Sequence, residues 1–273
     1  MHTSTIIAGE LVSSLATDLR ELPAGELIGL DAVCPQAWNA LAGRAIEPNV
    51  FFHPAWSRAV SAHADARSAT QALLAWEGPS HRRLIGLLPV ASAWRALRIP
   101  VPVLVASQAF SPLSVPLLDR DAVDVAARGL LEAAARAGAV AVLFPAIASD
   151  SAAAQAIFRA AADAGPMPQT INAYTRAMLD ATQIPEDAIK NALGAKKLKE
   201  LRRQRNRLAD KGEVTCAVAS SPAEIPDALD GFLRLEASGW KGKRGTALAT
   251  STGNRNSCAA PYRISLSPVA PKL

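Results

Sequence analysis

Apolar and polar residues alternate along the first two thirds of the chain in a way that predicts short strands and helices. Residues 35–64 have helical periodicity in two pieces that are broken at Pro48, and Pro54 suits the first turn of the second piece. The apolar runs 72–76 and 84–90 flank a polar turn. Two such runs around a turn predict a β-hairpin.

The same alternation continues further along the chain. Residues 121–137 and 151–164 are rich in alanine and predict helices, whereas 139–144 is a short apolar run typical of a buried strand. Residues 170–179 predict a further strand. Strands that alternate with helices indicate a layered α/β or α+β domain.

A second unit is predicted after Leu179. Pro185 suits the first turn of a helix whose apolar positions continue through a basic segment to Leu208. Residues 213–219 have the composition of a strand.

A capping box predicts the last helix of this unit. Ser221 is followed by proline and, three residues later, by Glu224, which is the spacing of a helix N-terminus. The helix is expected to run to about Ser238. Its apolar residues are expected to face inward: Ile225, Leu229, Phe232, Leu233 and Leu235.

Composition favours a cytoplasmic globular protein. The 273 residues are 50% hydrophobic, enough for one large core or two ordinary ones. The N-terminus has no basic segment before a long apolar run, so no signal peptide is expected. Cys34, Cys216 and Cys258 are scattered without CxxC spacing, which argues against a disulfide framework and a zinc site.

The net charge of +5 comes from one segment. Residues 195–211 contain eight Lys or Arg against Glu200 and Asp210, whereas the rest of the chain is nearly neutral. Eight cations on one helix are suited to phosphates of nucleic acid or to an anionic surface. The segment has no aromatic residues for bases to stack on, so a solvated outer face is the favoured interpretation and nucleic acid is the lesser alternative. The anion-binding candidates are Lys197, Arg202 and Arg203.

Four motifs resemble those of the bacterial CelD/BioF-like acetyltransferases of the GNAT superfamily. They occupy residues 48–56, 85–90, 196–212 and 232–248. The most specific is the run from Glu236 to Leu248, with the sequence EASGWKGKRGTAL.

The resemblance implies two GNAT-like domains in tandem, similar to the Fem transferases, each with a mixed sheet flanked by helices. Residues 1–34 would be an N-terminal lead-in, 35–180 a complete first domain, and 181–249 the start of the second. Residues 250–273 lack periodicity and, after Thr250, acidic residues. We expect this tail to be disordered or aberrant, and the second domain to be only partly present, as a frameshift or premature stop would produce. Resequencing the locus tests that expectation.

The activity that the resemblance implies is transfer of an acyl group from a thioester or acyl carrier to an amine. Acetyl-CoA or another acyl donor is the implied cofactor, without a metal, and the acceptor would be a small molecule or a cell-envelope precursor. A partial second domain would lack much of the donor site and would expose apolar surface. The competing interpretation is therefore a non-catalytic remnant or binding module.

Glu236, Trp240 and Lys241 are the candidates for the acceptor or acyl pocket, and no catalytic residue is identified. Glu236 and Trp240 are also i and i+4, so packing on one helix is at least as favoured an interpretation. The surrounding glycines at 239, 242 and 245 favour a shaped loop over a plain helix end. His53 has the chemistry of a general base, but its position between Phe52 and Pro54 favours a structural role as a partly buried residue at a helix start. Arg83 begins the nearest match to a pyrophosphate motif, yet it lies in the predicted hairpin.

Overall fold

The protein is a mixed α/β structure, as the sequence predicts. The computed structural model describes residues 2–8, 24–63, 71–78, 83–106, 111–165, 167–176 and 185–250. Residues 2–176 contain all the described strands and are called the sheet unit below. Residues 185–250 contain helices and turns and are called the helical segment.

The described strands of the sheet unit form one sheet. In chain order they are β1 His2–Ala8, β2 Ala24–Gly29, β3 Gln71–Glu77, β4 Arg83–Ser92, β5 Val103–Ala106, β6 Leu117–Leu118, β7 Ala141–Ala148 and β8 Pro168–Tyr174. The strand order is β2-β3-β4-β5-β7-β1-β8, and β6 pairs with β4. Only the β5–β7 pair is parallel among these ladders.

The predicted hairpin is confirmed as β3 and β4, in which Leu74 pairs with Leu87. Residues 84–91 of β4 are all buried, although neighbouring side chains of a strand point to opposite faces. A strand covered on both faces reads as a continuous apolar run. This explains why the sequence of β4 shows little alternation.

The described α-helices of the sheet unit are α1 Pro35–Arg44, α2 Pro54–His63, α3 Ala93–Leu97, α4 Val123–Arg136 and α5 Ala152–Asp163. They confirm the two-piece helix over 35–64 and the two alanine-rich helices. Helix α4 packs on β2, β3 and β4, and α5 packs on α4. The core between sheet and helices includes the fully buried Trp38, Phe52 and Phe144.

Small residues let α4 lie close to the sheet. A methyl group at Gly25 of β2 would come within 2.5 Å of the Gly129 carbonyl oxygen, so only glycine fits at that point without a shift. Alanines supply much of the buried face of α4. The alanine content that predicts helices thus also sets how closely they pack.

Two strands come from the segment 1–34, which the sequence predicted only as a lead-in. Strand β1 lies between β7 and β8, and β2 pairs with β3. The predicted strand over 170–179 corresponds to β8, which ends at Tyr174, and residues 177–179 of that prediction lie outside the described residues.

The helical segment contains α6 Pro185–Ala209, α7 Ile225–Ser238 and α8 Trp240–Lys243. Helix α6 is kinked at Gly194, whose φ of 68° and ψ of 163° are not helical. The prediction of a strand over 213–219 is wrong, because these residues form no ladder and Val218 is 82% exposed. A strand composition forms a strand only where a neighbouring strand accepts its hydrogen bonds.

The capping prediction is confirmed for the Glu224 carboxylate but is wrong for Ser221, because the N-cap residue of α7 is Glu224 and the proline after Ser221 lies before the helix. The Glu224 carboxylate accepts hydrogen bonds from the Ser220 and Ser221 N–H groups, and α7 begins at the next residue. Leu233 is buried as predicted, but Phe232 is 51% and Leu235 is 74% exposed. The inward direction predicted for those two residues is wrong, because no described element covers that side of α7.

None of the described helices is long and apolar enough to cross a membrane. The predicted tail over 250–273 lies outside the described residues except for Thr250.

Candidate functional site

The segment after α7 folds back on the end of that helix. Helix α7 stops at Ser238, Gly239 has an extended backbone, and α8 follows at once. A methyl group at Gly242 would overlap the backbone of Ala237, so glycine is required where α8 meets α7. We call residues 236–250 the Trp240 loop.

Glu236 holds this loop together. Its carboxylate accepts hydrogen bonds from Lys241 Nζ at 2.6 Å and from the Leu248 N–H at 2.8 Å. Its side chain is only 6% exposed. The hydrogen bond from Lys241, and then the one from Leu248, hold the pKa of Glu236 below its ordinary value, so the group is a carboxylate at neutral pH.

Glu236 forms an ion pair with Lys241 and not the contact with Trp240 that the i, i+4 spacing suggests. Because the helix is broken at Gly239, Glu236 reaches Lys241 and not the i+4 residue. The interpretation of Glu236 and Trp240 as neighbours on one helix is therefore wrong. The expectation of a shaped loop is confirmed, since Thr246 also donates its N–H to the Lys241 carbonyl.

Trp240 lies on the surface of the loop. Its side chain is 63% exposed, and the Arg244 guanidinium lies 5.3 Å from the centre of its ring. This distance is typical of a cation–π contact. The loop therefore presents a flat aromatic surface with the Arg244 cation beside it, whereas the Lys241 cation is paired with Glu236.

The anion-binding candidates lie on α6, apart from the Trp240 loop. Arg203 donates to Glu200 at 3.0 Å, and Gln204 donates to the same oxygen. Lys197 and Arg202 line an open concavity formed by α6 alone. Within the described residues α6 has no extensive contact with α7 or α8. The structure therefore does not bring the two groups of candidates into one site.

Arg83 is a structural residue of the hairpin, as its sequence position favoured. Its Nε donates to Glu77 at 2.8 Å, and its NH1 lies 3.7 Å from Asp119. The hydrogen bond from Arg83 to Glu77 raises the pKa of the guanidinium further. Residues 83–88 belong to a paired strand, so they offer no helix N-terminus to a pyrophosphate. This segment does not fit that part of CoA.

His53 has a structural role too. Its Nδ1 accepts a hydrogen bond from the Ala55 N–H at 3.3 Å, at the start of α2. Burial lowers the pKa of His53, which favours the neutral ring needed for that bond. The prediction of a partly buried residue at a helix start is confirmed.

Sequence reasoning missed a buried carboxylate in the sheet unit. Asp119 is fully buried, and its Oδ2 accepts from Arg44 Nε at 2.9 Å. Burial alone would raise the pKa of Asp119, but hydrogen bonds from the Asp121 N–H and from Arg44 outweigh it and lower the pKa. Arg44 and Asp119 are 75 residues apart, so no local pattern could reveal the pair.

Neither metal-ligand geometry nor similarity to known proteins assigns an activity. Across the part of the chain that the structure describes, no group of three His, Cys, Asp or Glu side chains could hold a metal ion. Comparison with protein-family models, curated proteins and solved structures found no match for this chain. Any function of this chain must therefore be inferred from its own residues.

Proposed function

We propose that this chain is related to the CelD/BioF-like N-acyltransferases and that the Trp240 loop forms part of their acceptor or acyl pocket. The reaction would join an amine nitrogen to a thioester carbonyl carbon, break the carbon–sulfur bond and release a thiol. The observation that carries the proposal is the Glu236 network, because the most specific motif residues are also those that determine the shape of one loop.

Each loop residue has a definite part in this proposal. Glu236 positions the loop by binding Lys241 and the Leu248 N–H, and is not a free base. Trp240, exposed beside Arg244, offers a flat apolar surface on which an acyl chain or acceptor can lie. Alignment of the amine against the thioester supplies much of the acceleration in reactions of this kind.

The described residues do not indicate where the CoA part of the acyl donor would bind. Among the described residues, the sequence nearest to a pyrophosphate motif begins at Arg83, and it forms part of the β3–β4 hairpin. We therefore assign the Trp240 loop to the acceptor or acyl side of the pocket.

The experiment is titration calorimetry of the 273-residue chain with acetyl-CoA, followed by thiol release in the presence of a panel of amines. We expect binding that W240A weakens about tenfold, the loss typical of one aromatic contact. Trp94 supplies a matched control, because it is 56% exposed and has Arg98 at 6.0 Å from its ring. W94A should bind acetyl-CoA as the unmodified chain does.

The alternative function is a binding module without catalysis. It is favoured by one observation, the exposure of apolar side chains on both α6 and α7. Absence of heat on titration with acetyl-CoA, together with absence of thiol release, would support this alternative against the acyltransferase proposal.

A further inference from the structure

Exposed apolar side chains cluster where helix α3 leads into strand β5. Five of them, each between 44% and 56% exposed, are called the Trp94 patch: Trp94, Leu97, Ile99, Val101 and Val140. Val140 comes from elsewhere in the chain, but its N–H donates to the carbonyl of Pro102 at 2.8 Å, which places it beside the other four. A contiguous apolar patch on a protein surface marks a contact with another protein or with a membrane.

The charge around the patch has one sign. Arg95 and Arg98 are the only charged residues between Leu84 and Leu118, so this stretch has two cations and no acid. Within the part of the chain that the structure describes, neither arginine forms an ion pair, and Arg95 Nε has no hydrogen-bond acceptor. The Arg98 guanidinium lies 6.0 Å from the centre of the Trp94 ring, which keeps a cation at the patch. The patch therefore suits a partner that is both apolar and negatively charged.

The backbone N–H groups of the loop 98–103 are all paired within the patch. Those of Arg98 and Ile99 donate to carbonyls of α3, that of Val101 donates to Ile99, and that of Val103 donates to Val101. Residues 100 and 102 are prolines, which have no N–H group. An unpaired N–H group costs free energy when it leaves water, so a loop in which each N–H is paired or missing is suited to an apolar medium.

We propose that the Trp94 patch binds the surface of an anionic lipid bilayer. The Trp94 ring and the aliphatic side chains enter the interface between head groups and acyl chains, where tryptophan is enriched in membrane proteins. Arg95 and Arg98 bind lipid phosphates through their guanidinium groups, while their methylene groups stay among apolar atoms. This contact places the protein on the membrane surface.

An acidic protein partner fits only two of the three observations. It would match the arginines and cover the apolar side chains, as a bilayer does. A protein surface and its water, however, offer acceptors to any N–H group of the loop, so they give no reason for every N–H in 98–103 to be paired or missing. The apolar side of a bilayer interface lacks such acceptors, and the pairing of the loop therefore favours the bilayer.

Binding to lipid vesicles tests the proposal. We expect the 273-residue chain to sediment with vesicles of phosphatidylcholine and phosphatidylglycerol, and to bind vesicles of phosphatidylcholine alone at least about tenfold more weakly. R95Q/R98Q should weaken binding to the anionic vesicles about 30-fold, since each cation near such a surface contributes about 1 kcal/mol. R95K/R98K keeps both charges and should bind as the unmodified chain does to within about threefold.

R202Q/R203Q is the matched control for charge. It removes the same number of cations from α6, where residues 195–211 carry eight basic side chains against two acidic ones. If the vesicles attracted α6 and not the Trp94 patch, this variant would weaken binding as much as R95Q/R98Q does. We expect a loss below about threefold, because charges away from the lipid contact are screened by salt.

The apolar part of the contact has its own matched pair of variants. I99S/V101S removes two branched side chains of the patch and should weaken binding to the anionic vesicles at least about tenfold. V125S/I171S removes the same two residue types from α4 and β8, where they are 46% and 58% exposed, and should bind to within about threefold of the unmodified chain. Circular dichroism of both variants checks that the fold is intact.

Quenching of tryptophan fluorescence by brominated acyl chains locates the contact. W94F keeps an aromatic side chain, so it should still bind the anionic vesicles. The bound unmodified chain should be quenched by brominated lipids and bound W94F should not, because Trp94 is the tryptophan of the patch.

Three outcomes would overturn the proposal. The first is an unmodified chain that does not bind anionic vesicles even at low ionic strength, which would leave an acidic protein as the partner of the patch. The second is an R202Q/R203Q variant that loses as much binding as R95Q/R98Q, which would assign the binding to α6. The third is bound W94F that brominated lipids quench as strongly as the unmodified chain. These assays use no acetyl-CoA, so their result is independent of the acyltransferase proposal.

Discussion

The sheet unit and the helical segment both have apolar residues at helix or strand spacing, but they differ in what covers those residues. Leu74 and Leu87, paired across β3 and β4, are fully buried, whereas Leu208 and Leu235 are more than half exposed. The difference lies in the neighbours, since α4 packs on β3 and β4 but no described element covers the outer side of α7. Periodicity therefore identifies which face is apolar, and only tertiary structure decides whether it is buried.

The largest effect should come from truncating equivalent leucines in the two units. L74A removes a fully buried side chain from the core, and we expect the free energy of unfolding to fall by about 3 kcal/mol. L235A removes a side chain that is 74% exposed, and it should change that free energy by less than about 0.5 kcal/mol. Urea denaturation measures both. Equal losses would show that the outer side of α7 is covered after all.

A smaller effect is expected from the ion pairs. D119N leaves Arg44 without its buried carboxylate and should lower the free energy of unfolding at neutral pH by about 2 kcal/mol. The pKa of Asp119 is lower in the folded protein, so its contribution is present above the unfolded pKa and is lost as the pH falls through the folded pKa. The difference between D119N and the unmodified chain should therefore shrink in acid.

The matched control for this pair is D124N. Asp124 and Arg159 are both more than half exposed, and exposed pairs contribute little. We expect a change below about 0.5 kcal/mol. A D119N difference that stays constant down to strongly acidic pH would contradict the assignment of a lowered pKa to Asp119.

The smallest effect distinguishes two glycines of the helical segment. G242A forces a methyl group into the Ala237 backbone and should weaken the Trp240 loop by about 1–2 kcal/mol. G231A, in open space on α7, should stabilise its helix by about 0.5 kcal/mol. The Leu248 N–H donates a hydrogen bond to Glu236, so its rate of hydrogen exchange measures the weakening of the loop in G242A. Unaltered exchange in G242A would mean that α8 does not depend on the close approach.

Local signals predicted the elements of this protein better than its long-range contacts. The β3–β4 hairpin could be predicted because both apolar runs and their turn lie within one short stretch, and α4 and α5 because alanine favours helices. The prediction of a strand over 213–219 was wrong because a strand needs a neighbouring strand to pair with, and composition does not reveal whether one is present. Strands β1 and β2 were missed because their partners lie elsewhere in the chain.

The candidate site could be predicted only in part. Glycines at 239, 242 and 245 indicated a shaped loop, and Gly242 proved to be required by the Ala237 backbone. The hydrogen bond that the Leu248 N–H donates to Glu236 spans 12 residues and depends on the turn between them, so the sequence spacing does not predict it. The same is true of Arg44 and Asp119.

The position of β1 has a consequence for how the protein is made. Its residues pair with β7 on one side and β8 on the other, so residue Thr3 meets both Ile147 and Ala173. Strand β1 is thus synthesised before both of its neighbours, and it can pair only after β7 and β8 have been synthesised. Contacts so distant in sequence slow folding. Among the described strands β8 pairs with β1 alone, so β8 can join the sheet only once β1 has paired with β7.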